Sequence, residues 1–309
     1  MSSPQHATTI EKACDGDHLA IWGLAGQAQL DAVLTGLLAE REQRGSRVPV
    51  VSLLMRARED GEWIERAISW LSLRGRRVIV RTRVVMPRSV VSALADAHRR
   101  KTGAVVELEL AHHKPAIQSA LLSTRAGPAD SVAALLLQAQ HLETLELPIV
   151  ARLAPLLPGI HDQPNGFTPL LRNLVAADLR RVVIEAGHLH TQQLRALLDP
   201  ALGLGARELS VQSLLELGRA YGVDSMVVLG GATLEGDRVY KLKPRRAQVL
   251  AHGLEQLARE HDNGALALPG CGCRSHCELH PQAANKAYAG GYAAPYEPVI
   301  GRDLFAGLL

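Results

Sequence analysis

Aromatic side chains are scarce in this chain: two Phe, three Trp and five Tyr among 309 residues. A groove that stacks single-stranded bases needs several of them in a row, so that mode of nucleic-acid binding has little to build with. No run approaches the ~18 consecutive apolar residues of a membrane span. Residues 1–9 lack the basic start and apolar stretch of a secretory signal, so no membrane partner and no secretion are expected. Cysteine is present only four times. That is too few for a disulfide scaffold, and the setting expected is cytoplasmic, with reduced thiols. Charge is nearly balanced, 34 Lys and Arg against 31 Asp and Glu, which is too weak an excess to attract a polyanion by itself.

What is abundant is ordinary core material. Hydrophobic residues make up 47% and charged residues 21%, the balance of a chain that folds around a substantial apolar interior. The apolar residues alternate between two spacings. Short valine-rich runs at 48–54, 77–82, 104–110, 148–153 and 181–185 read as buried strands. Between them lie segments with helical spacing. In 59–73, Trp63, Ile64, Ala67, Ile68 and Leu71 share one face. Pro87 opens a helix at 88–100, 129–145 is strongly apolar, and a helix begins near Thr168. Strand, helix, strand in this rhythm predicts parallel strands joined by crossover helices. Beyond Leu189 the pattern loosens into helices at 192–198, 207–220 and 244–261, with a further short strand expected at 264–268. The organisation expected is an N-terminal tail at 1–17, an α/β partial barrel with parallel strands at 18–230, and a helical, cysteine-bearing C-terminal segment at 231–309.

Part of this pattern resembles a known family. Residues 77–97, 123–162 and 170–185 are similar to consecutive units of the radical S-adenosylmethionine barrel of the spore photoproduct lyase and DNA-repair-photolyase-like group. The most specific landmark is the turn Pro155, Leu156, Leu157, Pro158, Gly159, Ile160, His161, Asp162, which follows the family's pattern of two prolines, a glycine and a closing Asn-Asp pair with His161 in the Asn place. The resemblance covers a third to a half of the chain. It implies a partial (β/α) barrel, an iron–sulfur cluster, S-adenosylmethionine and a large substrate such as a nucleic acid or a peptide. It also implies that strand ends hold the cofactor, with Arg83, Glu109, Arg152 and Glu185 lining the cavity. The departure is the family's CxxxCxxC motif. It should follow the first barrel strand, yet Cys14 is the only cysteine before position 271.

The remaining three cysteines, Cys271, Cys273 and Cys277, fall within seven positions beside His276 and His280. Gly272 lets the backbone turn tightly between the first two. Three thiolates with one open iron suit a [4Fe–4S] cluster, and three Cys with His280 suit tetrahedral zinc. Both remain open on spacing alone. With zinc and no radical motif, the chain would be a catalytically inactive scaffold for a partner protein or nucleic acid.

Two further groups stand out. Glu107 and Glu109 alternate on one face of a strand whose other face is apolar, which predicts a polar lining. His112 and His113 follow at the strand's C-terminal end, where parallel α/β folds place ligands, and read as acid–base groups or plain loop residues. Gly230-Gly231 reads as a turn, because no phosphate-loop spacing follows it.

Overall fold

The computed structural model describes residues 7–13, 16–22, 30–43, 50–100, 103–123, 127–163, 165–179, 182–198, 208–230, 234, 236 and 238–262. The elements, in chain order, are β1 (Ala7–Ala13), β2 (Gly16–Trp22), α1 (Leu30–Gln43), β3 (Val50–Met55), α2 (Gly61–Ser72), β4 (Arg77–Thr82), α3 (Arg88–Arg99), β5 (Ala104–Leu110), α4 (Pro115–Leu122), α5 (Val132–Glu143), β6 (Ile149–Leu156), α6 (Thr168–Ala176), β7 (Val182–Ala186), β8 (Leu189–His190), α7 (Thr191–Leu198), α8 (Val211–Tyr221), α9 (Ser225–Val228), β9 (Val239–Tyr240) and α10 (Pro244–Asp262). The architecture is α/β with parallel strands. Among the described residues no helix is long and apolar enough to cross a membrane.

The chain divides into two compact units. The first holds the described residues of 1–108 and 138–150, and the second those of 109–137 and 151–272. In the first unit β1 and β2 form an antiparallel pair, so the expected tail carries a strand. From β2 onward the strands are parallel and follow chain order: β2 pairs β3, β3 pairs β4, and β4 pairs β5. The Val106 amide then donates to the Pro148 carbonyl, which starts β6 alongside β5. In the second unit β6 and β7 are parallel, and the two-residue strands β8 and β9 are antiparallel.

Register sorts the strand residues of the first unit onto two faces. Leu54, Arg81 and Glu107 lie side by side across β3, β4 and β5. Ser52, Ile79 and Val105 share their face by the two-residue period. The opposite face carries Leu53, Val80 and Val106, all fully buried. The polar face is buried too: Ser52 and Glu107 are inaccessible and Arg81 nearly so. Arg81 Nε donates to Glu107 Oε2 at 3.0 Å. Glu107 is therefore buried on a mixed face of the sheet, and its charge is met by a cross-strand guanidinium.

The helices follow from their sequence faces. Trp63, Ile64, Ala67, Ile68 and Leu71 of α2 are all buried. The helix is entered through Asp60, whose carboxylate accepts from the Arg56 and Ala57 amides at 2.8 and 3.0 Å and from the Trp63 indole at 3.1 Å. Gln138 and Met86 exchange a reciprocal amide pair, both bonds 3.0 Å, which fixes the turn before α3. In the second unit Ser210 caps α8 by accepting from the Ser213 amide, and Gly222 in the left-handed region ends that helix. The strand expected at 264–268 and the cysteine loop lie outside the described residues.

Candidate functional site

The site develops in the second unit, where the chain leaves β5 and β6. The backbone after β5 is held by Gln118 of α4, itself buried. Its Oε1 accepts from the Ala111 and His112 amides at 2.7 and 3.0 Å. One amide side chain thus satisfies two donors that the end of the strand leaves without ladder partners. Pro115 then starts α4, where its missing N–H removes nothing from the helix.

The turn after β6 is the Pro-Gly sequence singled out above. The Ala154–Pro155 peptide is cis, and Gly159 sits at φ +81°. A Cβ on Gly159 would lie 2.5 Å from the Ser213 carbonyl oxygen and 2.9 Å from the Leu217 nitrogen, so the turn and the α8 backbone approach as only glycine permits. The Gly159 amide donates to Asp162 Oδ1 at 2.7 Å, closing the turn on itself.

His161 joins the two loops. Its Nδ1 accepts from the Leu157 amide at 2.8 Å, and its Nε2 lies 2.6 Å from the Ala111 carbonyl oxygen. A carbonyl only accepts, so the proton resides on Nε2 and the ring is neutral with both nitrogens satisfied. It is completely buried, and burial pushes its pKa down to about 4. His161 is a brace.

His112 sits against it, ring centroids 5.6 Å apart and edge to face, and stacks on His113 at 4.3 Å. Its Nδ1 accepts from the Lys114 amide at 3.0 Å, which places the ring proton on Nε2. Burial, reinforced by His161, His113 and Lys114, pushes its pKa down to about 2. Burial also lowers the pKa of His113. At neutral pH His112 is therefore a fixed donor rather than a base. The pair reading as acid–base groups is replaced, for His112, by a neutral imidazole of defined tautomer.

These groups border a cavity of about 310 Å³, lined among others by His112, Lys114, Ile160, Gln163, Glu208 and Ser210. Lys114 Nζ lies 2.8 Å from Glu208 Oε2 and 3.2 Å from the Glu208 carbonyl oxygen. The ammonium holds the Glu208 carboxyl below its usual range. A larger cavity of about 670 Å³ lies along α8 and α10, with Leu250 and Leu254 on its floor and Arg219 and Arg246 exposed at its rim. Among the described residues no histidine lines that larger cavity; its Arg219, Arg246 and Glu260 are exposed and its Glu216 is half-buried.

The four strand-end residues that the resemblance assigns to a cofactor are distributed differently. Arg83 follows β4 in the first unit and is half-buried. Glu109 is half-buried in β5, and its carbonyl accepts from Gln118 Nε2. Arg152 is buried in β6, opposite Val183 of β7, and Glu185 stands two residues further along that strand. Among the described side chains, those of Arg83, Glu109 and Arg152 line neither cavity. Cys271, Cys273, Cys277 and His280 lie outside the described residues. Among the described residues no three His, Cys, Asp or Glu side chains are grouped to hold a metal; the three clustered histidines do not qualify, because His161 spends both nitrogens on the backbone. His161 and Lys114 were not singled out as site residues by the sequence, although the Pro-Gly turn marked the region. No family model, curated protein or solved structure matches the chain.

Proposed function

We propose that the chain is a divergent radical-S-adenosylmethionine-like protein, with a partial (β/α) barrel that presents its strand ends to a large substrate and a [4Fe–4S] cluster on Cys271, Cys273 and Cys277. The observation that carries the reading is the strand order. β2 to β5 are parallel, adjacent in chain order and linked by helices, and a singly wound arrangement of this kind supports the barrel reading. The Pro-Gly turn that bears the resemblance stands at the C-terminal end of β6, the end at which such folds bind ligands. The described residues offer no cluster site of their own, and the donor set that fits is the cysteine triplet. Three thiolates leave one iron of such a cluster open, as reductive cleavage of a sulfonium requires.

One observation favours a second reading. The stretch 23–29, directly after the first parallel strand, has no cysteine. On that ground the chain is a catalytically inactive scaffold for a partner protein or nucleic acid, and Cys271, Cys273, Cys277 and His280 hold structural zinc. Metal and sulfide analysis of protein purified without oxygen separates the two. About four irons and four sulfides per chain, with absorbance that bleaches on reduction, support the first reading. One zinc without iron overturns it in favour of the second.

A further inference from the structure

We propose that the smaller cavity, at the ends of β5 and β6, binds a compact oxyanion: a carboxylate or a phosphate group carried by a small molecule. Three independent features converge there. The first is His112, only 2% exposed. Its Nδ1 is used by the Lys114 amide, so its remaining polar atom is the Nε2–H, carried by a ring that lines the cavity. The ring is held in place by burial and by the Lys114 amide, and as a neutral imidazole it offers this donor to an entering acceptor at constant geometry across the physiological range.

The second feature is the Lys114 ammonium, which lines the same cavity and is anchored by the carboxylate and carbonyl of Glu208. The third is the start of α8, a helix of 11 residues whose cap Ser210 and first-turn Ser213 also line the cavity. The Ser210 hydroxyl already serves the Ser213 amide at 3.0 Å, leaving the amides of Val211 and Gln212 at the positive end of the helix. A cation, a helix N-terminus and a neutral donor on a buried ring, around about 310 Å³, form an oxyanion environment. Glu208 does not oppose it outright, because its charge is balanced by Lys114 and an entering anion shares that ammonium. The volume suits a small molecule.

The inference is independent of any metal on the cysteine loop, and its test is run on the full chain after chelation as well as before. Histidine side-chain nitrogen NMR follows His112 Nε2 at pH 7, while sodium phosphate or sodium acetate replaces chloride at constant ionic strength. A shift with phosphate alone assigns the site to phosphate-bearing ligands, and a shift with acetate assigns it to carboxylates. Lys114→Ala removes the ammonium and with it the counter-charge of Glu208, and it keeps the amide that sets the His112 tautomer. It weakens binding roughly tenfold to a hundredfold, the worth of one charge-assisted hydrogen bond. No shift with either salt at tens of millimolar overturns the proposal. So does an equal shift in the Lys114→Ala protein, which would mean an adventitious ion only.

Discussion

Acid should weaken this protein well before its carboxylates are protonated, and the slope should trace to His112 and His161. Both rings are neutral when folded, with pKa pushed down to about 2 and about 4, whereas in the unfolded chain each titrates near its ordinary value of about 6.5. Below that value the unfolded state binds more protons than the folded one, so stability falls as pH falls. Each histidine contributes about 1 kcal/mol per pH unit over this window. From pH 6.5 to 4.5 the two together remove roughly 4 kcal/mol, a large share of the 5–15 kcal/mol typical of a domain. The His161 share levels off near pH 4 and the His112 share continues below it. His113, shifted in the same direction, adds to the slope. The assay is urea unfolding followed by circular dichroism at half-unit steps of pH, for the native chain and for His161→Gln. The variant should keep the His112 and His113 shares and so show a clearly smaller slope, between about half and two-thirds of the native one, whatever its stability at pH 7. An unchanged slope in His161→Gln, or no loss between pH 6.5 and 4.5, would refute the assignment of neutral buried rings.

Three further substitutions have worked expectations. Glu107→Ala takes the carboxylate from the buried Arg81 and should destabilise by roughly 3–5 kcal/mol, read by urea unfolding; a change within 1 kcal/mol would mean that the pair is solvated. Gly159→Ala forces a Cβ into the Ser213 carbonyl at a positive φ, with a loss on the order of 3 kcal/mol in thermal unfolding. An unchanged melting temperature there would contradict the packing of the Pro-Gly turn on α8. Tyr221→Phe removes the hydroxyl that donates to the Gly187 carbonyl at 2.8 Å. It should lower stability by about 1–3 kcal/mol, since that carbonyl is left buried and unpaired; a neutral result would show that water reaches it.

Periodicity carried most of the architecture. The valine-rich runs match β3 to β7 to within a few residues, because a strand buried on both faces has almost no other composition open to it. The segments with a clear apolar stripe, α2 and α3 among them, match as well. What was not legible was short or not apolar. β1 and the two-residue β8 and β9 owe their existence to backbone pairing rather than to a side-chain pattern. α4 is two turns long and its composition carries little period. The site divided along the same line. His112 and His113 could be read as strand-end groups because they follow a strand directly. Their meeting with His161, whose ring reaches the Ala111 carbonyl from 50 positions away, depends on tertiary structure that no local spacing encodes. The cavity likewise gathers Lys114 and Glu208 from distant segments, so its charge balance was invisible until the chain was folded.

The buried pair of Arg81 and Glu107 has a consequence for assembly of the sheet. Along β4 and β5 the neighbouring cross-strand partners are Val78 with Ala104, Ile79 with Val105 and Val80 with Val106. Such small aliphatic pairs are nearly interchangeable, so they tolerate a shift of one strand along the other at little penalty. The charged pair does not. A slip of one residue turns one member toward the opposite, apolar face and strands two charges in the interior. The pair therefore acts as an alignment key: it adds little to the depth of the correct pairing, and it raises every incorrect one.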